Sequence, residues 1–257
     1  MTTILDEIVA NKRNEIQQSK QLIGLSDYIG SPDFNRSIFS IRERIQNQFG
    51  IIAEIKRKSP SAGEINSGMN ILSQVEIYEN QGATGISILT DHSYFGGSIQ
   101  DLKQIRSETK LPILRKEFIV DEYQLFESKA AGADAILLIA SILEKEEAHH
   151  LTIVAKSLGL EVIFEIHSFE ELDKLNDEID ILMINNRNLK TQKTTLDHSF
   201  RLASYLPKNT ITVSASGISN SDQLKKLEDI GFNGALIGES LLKGKLAFEQ
   251  HSKMIGI

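Results

Sequence analysis

The chain of 257 residues contains no cysteine and no tryptophan. Without cysteine there is no disulfide framework, no thiolate nucleophile and no Cys-type zinc site. Long apolar runs are missing as well. The longest, Ala135–Ala140, falls far short of the roughly 20 residues that a membrane-spanning helix needs. Asp6 and Glu7 stand near the start with no apolar core behind them, which argues against a secretory leader. Positive charge is in deficit: 28 Lys and Arg against 35 Asp and Glu give a net charge of −7. That balance disfavours nonspecific nucleic-acid binding and means that any anionic ligand must be held by a local positive site. The composition is 40% hydrophobic and 25% charged, enough for a sizeable core, so a disordered or collagen-like chain is excluded. The class is a soluble, cytoplasmic α/β protein, built as two small domains or as one large barrel of about 250 residues.

Short apolar runs rich in β-branched residues recur at 51–56, 85–90, 112–116, 134–139, 161–166, 181–185, 210–215 and 234–238. Their starts lie 20 to 34 residues apart, a spacing that suits one strand and one crossover helix. Near-continuous apolar strands separated by helical patterns indicate a parallel sheet covered on its outer face. Five pairs read as helix starts in phase with the strands: Ser98/Asp101, Asp121/Gln124, Ser141/Glu144, Ser168/Glu171 and Ser219/Asp222. Gly82, Gly132, Gly159 and Gly231 fall where the preceding helices should end. Eight strand–helix units predict a closed (β/α)8 TIM barrel, one domain over 1–257. Residues 1–50 would form a helical N-terminal extension and 51–257 the barrel. A doubly wound open sheet is the alternative, but it needs fewer strands and a glycine fingerprint after strand one that is missing here. In the extension, Leu5, Ile8, Val9 and Ile16 share one helical face, and a second helix is expected from Asp33 to about Gln48 with Ile38, Ile41 and Ile45 aligned. It would close the barrel floor or rim.

In such a barrel side chains alternate in and out along each strand, and chemistry sits at the strands' carboxyl ends. Charges inside apolar strands are therefore informative. Glu54 and Lys56 share a face of strand one, Lys116 ends strand three, and Glu165 stands near the end of strand five. Strand six runs into Asn185, Asn186 and Arg187, and strand seven into Ser214, Ser216 and Gly217. A structural ion network is the bland reading. Desolvating four charges costs several kcal/mol per ion unless pairing is excellent, so catalysis explains their convergence more readily.

Ser216-Gly217-Ile218-Ser219 leads from strand seven into a helix, and Ile237-Gly238-Glu239-Ser240 does so from strand eight. Barrels commonly hold phosphate on backbone amides between these two loops. Ordinary turns are the alternative. Electrostatics would not choose Glu239 there, so its carboxylate should point away, while Arg187 and Lys56 can supply positive charge. His149 and His150 do not share a helix face, which argues against a metal; His92 and His167 receive no role.

The segments IIAEIKRKSPSAGEI (51–65), ISILTDHSYFGGS (86–98), LPILRKEFIVDEYQL (111–125), AGADAILLIASIL (131–143), EVIFEIHSFEEL (161–172), INNRNLKT (184–191) and SASGIS (214–219) resemble indole-3-glycerol-phosphate synthases. The match runs in register over nearly the whole chain. The resemblance implies a carbon–carbon lyase (carboxy-lyase) of tryptophan biosynthesis. It would close the ring of 1-(2-carboxyphenylamino)-1-deoxyribulose 5-phosphate to indole-3-glycerol phosphate, carbon dioxide and water. It implies Lys116 as general acid on the ketone oxygen and Glu165 as proton carrier in the dehydration. Lys56 would hold a substrate anion, Glu54 would orient a lysine, and Asn185 would hydrogen-bond the substrate. Ser216, Gly217, Gly238 and Glu239 would form the phosphate turns, with Ser216 also counted among the catalytic residues and Arg187 assisting. Ser59 and Pro60 would belong to a mobile first loop, and Phe95 and Phe118 would wall the anthranilate ring. No step calls for a metal or redox cofactor. The implied partners are the phosphorylated small-molecule substrate and other tryptophan-pathway enzymes, with no nucleic acid and no membrane.

One departure stands out. The family usually carries Glu before the Ser-Gly of strand seven, and here the residue is Ala215. Retained activity is expected, with Ser214 as a candidate to compensate. Three alternatives remain: a phosphoribosylanthranilate isomerase, which conventionally uses a cysteine; a Schiff-base aldolase acting through Lys116; and a degenerate barrel that binds a phosphorylated metabolite or a partner enzyme without turning anything over.

Overall fold

The computed structural model describes residues 3–60, 63–188, 191 and 193–246. Eight parallel strands close into a barrel: β1 Gly50–Ile55, β2 Gly85–Leu89, β3 Ile113–Lys116, β4 Ala135–Ile139, β5 Glu161–Ile166, β6 Ile181–Asn185, β7 Thr212–Ala215 and β8 Gly234–Ile237. Every strand boundary lies within two residues of its apolar run. Neighbours in the barrel are neighbours in sequence, and β1 pairs with β8 to complete the ring (Ile51 opposite Ala235). The helices are α1 Ile4–Leu22, α2 Leu25–Ile29, α3 Ile41–Ile45, α4 Ile71–Asn80, α5 His92–Phe95, α6 Ile99–Glu108, α7 Tyr123–Ala130, α8 Lys145–Ser157, α9 Asp197–Ala203, α10 Ser221–Asp229 and α11 Glu239–Leu242. No helix among the described residues is long and apolar enough to cross a membrane.

Apolar residues on both strand faces produce two cores. Outward-facing Ile86, Ile88, Phe164 and Leu182 pack beneath the helices. Inward-facing Ile52, Leu114, Leu137, Ile163, Met183 and Val213 fill the barrel. Gly82, Gly132, Gly159 and Gly231 all have φ between +69° and +95°, the left-handed conformation that ends their helices.

Only Ser98 acts as a helix cap in the predicted way, accepting from Asp101 N. Asp121 Oδ1 accepts from Tyr123 N, but Gln124 turns back to Val120 N rather than completing a cap. Glu144 caps α8 itself with Glu147, leaving Ser141 in a 3-10 turn, Ala140–Ile142. Asn220 displaces Ser219 at the start of α10. Ser168 starts no α-helix. The shortest strand spacing, 20 residues, leaves room only for the 3-10 segment Glu170–Lys174.

The N-terminal segment divides between the two ends of the barrel. α1 lies at the mouth, with Ile8 and Ile16 buried. Its Lys12 is buried against Asp91 (3.1 Å) and Glu117 (3.2 Å) as well as Glu15. Burial opposes that charge, but the three carboxylates outweigh it and hold the ammonium above the ordinary lysine range. α3 plugs the floor, where Ile41 and Ile45 are fully buried in the interior cluster. At Gly50 a Cβ would come within 2.5 Å of Ile45 Cγ2, so the strand can start there only as glycine.

The expected helix from Asp33 to Gln48 is reduced to α3. The backbone before it and at its first residue is drawn onto carboxylates at the strand starts: Phe39 N donates to Asp134 (2.9 Å) and Ile41 N to Glu161 (2.8 Å). Those long-range bonds win over helix propensity.

Asp134, fully buried, also accepts from Arg36 (2.8 Å), Arg106 (2.8 Å) and Ile113 N (2.7 Å). Asp134→Ala leaves two guanidinium groups and two amides without this acceptor. It should destabilise the fold by about 3–5 kcal/mol, read as a lower urea midpoint with an unchanged m-value.

Candidate active site

Every residue that the sequence assigned to catalysis, substrate or phosphate lines one cavity of about 450 Å³, within the range of small-molecule sites. The cavity lies at the carboxyl ends of the strands. Its centre is a row of alternating charges. Lys56 pairs with Glu54 Oε1, Lys116 Nζ lies 3.2 Å from Glu54 Oε2, and Lys116 Nζ lies 3.9 Å from Glu165 Oε2. Glu54 and Glu165 are almost wholly buried. The strand alternation dictates this convergence, because Glu54, Lys116 and Glu165 are each placed on the inner face near a strand end.

Burial alone would push the Glu54 carboxyl up, but Lys56 and Lys116 outweigh it and hold it down to about 2. For Lys116, burial works against the charge, while Glu54 and Glu165 raise the ammonium above its usual value. Arg187 partly opposes that rise. The outcome is a protonated lysine in a low-dielectric site, ready to donate a hydrogen bond or a proton to a carbonyl oxygen.

Around this row stand the binding elements. Phe95 and Phe118 pair at 6.0 Å between centroids with a 39° tilt, forming an apolar wall. Ser59 and Pro60 line the rim beside a two-stranded ribbon, Lys58–Ser59 against Gly63–Glu64. Its root is clamped by Arg57, bidentate to Asp101 at 2.6 and 2.9 Å. Asn185 accepts from Arg187 N (3.1 Å), which orients its amide at the end of β6.

Two turns complete the opposite wall. Ser216 (φ +70°) and Gly217 (φ +78°) are both left-handed. Gly238 begins α11, and a Cβ there would sit 2.5 Å from Glu54 Oε1. That glycine lets the turn approach the ion row directly. Ser240 Oγ donates to Ile218 O (2.6 Å), tying the two turns together. The Glu239 carboxylate is drawn to Lys243 (2.7 Å), with its pKa lowered chiefly by that bond.

Two expectations change. Ser214 cannot substitute for a carboxylate at position 215, because it faces outward and bonds Asn186 (2.9 Å) and Ser199 (2.8 Å). Ala215 faces inward and is fully buried in the interior cluster. His167 had no assigned role, yet it lines the cavity with Nε2 3.3 Å from Glu165 Oε1. The signal was its position two residues after Glu165. Ile4, Leu5 and Ile8 of α1 also reach the cavity and roof it with apolar surface. No group of three or more metal-ligating side chains occurs among the described residues.

Residues 5–252 match the family described as Indole-3-glycerol phosphate synthase. A protein named indole-3-glycerol phosphate synthase from Bacteroides thetaiotaomicron is 46% identical over 250 residues, covering 95% of this chain and 94% of its own length. One from Prochlorococcus marinus subsp. pastoris is 41% identical, covering 93% and 85%, and one from Alkaliphilus metalliredigens 37%, covering 93% of each. Among solved structures, tryptophan synthase subunit alpha from Legionella pneumophila str. Paris superposes with a TM-score of 0.58 at 16% identity, covering 80% of this chain and 88% of that one. At that identity it shares the TIM-barrel fold and carries no more.

The Glu54 carboxyl lies well below its ordinary value of 4.5, so it stabilises the fold above that pH and loses the contribution as pH falls toward about 2. Glu54→Gln should cost on the order of 3 kcal/mol at neutral pH. The gap to wild type should narrow in urea titrations at pH 3; a gap that stays constant contradicts the lysine pairing.

Proposed function

The chain belongs to the indole-3-glycerol phosphate synthase family, and from that premise we propose that it closes the ring of 1-(2-carboxyphenylamino)-1-deoxyribulose 5-phosphate. The products are indole-3-glycerol phosphate, carbon dioxide and water, a step of tryptophan biosynthesis. The family is of lyase type, and the proposed reaction makes this chain a carboxy-lyase. The observation that carries the reading is the buried row Lys56–Glu54–Lys116–Glu165 standing between an aromatic wall and two glycine turns. A cytoplasmic location and contact with other pathway enzymes go with it.

In this reading the aryl ring lies against Phe95 and Phe118, and the phosphate on the amides of the Ser216–Gly217 and Gly238–Glu239 turns, with Arg187 adding positive charge. The aryl carbon that bears the carboxylate attacks the ketone carbon, and the Lys116 ammonium gives its proton to the ketone oxygen as charge develops there. Loss of carbon dioxide returns the electron pair to the ring. The hydroxyl formed from the ketone then departs as water, with Glu165 carrying protons for that elimination. Lys56 faces the substrate carboxylate, Glu54 orients both lysines and keeps Lys116 charged, and Asn185 bonds the substrate amine or hydroxyl. Ser59 and Pro60 border the bound substrate.

Ala215 favours the second reading, a barrel that binds its ligand without turnover. Purified protein incubated with the carboxyphenylamino substrate should develop indole fluorescence. Lys116→Ala should lower kcat by about two to four orders of magnitude while the phosphate turns still bind product. No fluorescence from the wild type at high enzyme concentration, with product binding intact, would favour the non-catalytic barrel.

A further inference from the structure

Glu165 and His167 leave β5 on the same side, above the buried Ile163. The imidazole side chain is 6% exposed and the Glu165 side chain 4%, with Nε2 3.3 Å from Oε1. Neither ring nitrogen meets hydrogen-bond geometry with any partner, and neither does Glu165 Oε2. Oε2 instead faces Lys116 Nζ at 3.9 Å. On the far side of the ring, Nδ1 lies 4.0 Å from Glu171 Oε2, and that carboxylate also accepts the His167 backbone N–H. His198 stands near His167 and is held below the usual imidazole range, by burial first and then by the charges of His167 and Arg201, against a raising influence of the His167 backbone.

Packing alone does not call for this ring. An apolar side chain of similar size would fill the space without burying two under-bonded nitrogens between carboxylates. The closeness of Nε2 to Oε1 has a chemical consequence: it differentiates the two oxygens of Glu165. The 3.3 Å approach of Nε2 covers Oε1, and a small rotation of the ring would aim an N–H at that oxygen, which leaves Oε2 as the oxygen open to a proton arriving from the cavity.

We propose that His167 is a positioning residue for Glu165, holding Oε1 so that Oε2 is the oxygen turned to Lys116 and the substrate. The inference rests on Glu165 as the proton carrier of the ring closure. The charged and titratable groups around the ring are Glu165 on its own strand, Lys116 from β3, Glu171 from the following 3-10 segment and His198 from α9, with Glu54 beyond Lys116 and Arg201 beyond His198.

The test compares His167→Ala and His167→Gln with wild type in steady-state turnover of the carboxyphenylamino substrate from pH 5 to 9, with folding checked by thermal melts. An imidazolium or N–H donor beside a carboxylate favours its ionised form. In His167→Ala, kcat should fall by about one to two orders of magnitude, KM should change less than twofold, and the acid limb of the kcat profile should move to higher pH. His167→Gln, which keeps an N–H donor, should recover much of kcat. Unchanged kcat and acid limb in both folded variants would overturn the proposal, as would a rise in KM alone. Nitrogen-15 NMR of the imidazoles decides the pairing without turnover. In Glu165→Gln the His167 ring nitrogen shifts should differ from those of wild type at the same pH, and no difference would overturn the pairing. If wild-type protein fails to turn the substrate over, the proposed ring closure falls, and the NMR comparison still decides whether His167 pairs with Glu165.

Discussion

Everything at the mouth of this barrel depends on keeping four charges stable out of water. Glu54 is the pivot. Its two oxygens serve two lysines, Lys56 through Oε1 and Lys116 through Oε2, so a single buried anion pairs with two cations, and Glu165 beside Lys116 supplies the second negative charge. Removing one member of such a set leaves an uncompensated buried charge, which costs far more than the pairing contributes to stability. The row is thus a poor device for stability and a good one for holding a lysine protonated against an apolar wall. The glycine at 238 follows from the same constraint, since any side chain there would collide with Glu54.

The opposite end of the barrel carries the compensating rigidity. Asp134 and Glu161 stand at the start of strands and collect the Arg36 guanidinium and the amides of Phe39 and Ile41 from the N-terminal segment, while Asp134 also takes Arg106 from α6 and Ile113 N from β3. Glu161 is raised by burial, against the hydrogen bonds of Ser40, Ile41 and Arg42 that lower it. The same segment therefore closes the floor through α3 and roofs the mouth through α1. The alignment of side chains on β1, β3 and β5 at the mouth is set by a barrel whose other end is pinned.

The strands were legible because the inner and outer faces are both apolar, which leaves uninterrupted β-branched runs that need no partner to be recognised. Glu54, Lys116 and Glu165 were legible for the opposite reason: a charge within such a run has no bland place to go. The helix starts were less so. Ser141 and Ser219 are plausible caps one residue at a time, but Glu144, whose amide donates to Glu147, and Asn220, which accepts from Gln223 N, take the cap positions instead. The helix expected over 33–48 failed because the carboxylates of Asp134 and Glu161, about 100 residues away, compete for its amides. Nothing in the sequence pattern singles out Lys12, because its partners Asp91 and Glu117 reach it only in the fold. His167 shows the limit most clearly. Alternation places it on the face of Glu165, but only the fold shows the ring turned back onto Oε1.

The net charge of −7 then acquires a local meaning. Two lysines and two carboxylates make the row itself neutral, so the row cannot draw in a phosphorylated, carboxylated substrate by field alone. On the proposed reading capture comes from its flanks, where Arg187 and Lys245 line the same cavity as the two glycine turns. That division of labour suits catalysis on the proposed reading. If Lys116 were an unpaired cation, much of its charge would be committed to the anionic ground state, which binds substrate without speeding its conversion. Paired with Glu54, its charge is balanced until a new negative oxygen appears at the ketone. The interaction then strengthens as the reaction proceeds, which is the condition for lowering the barrier.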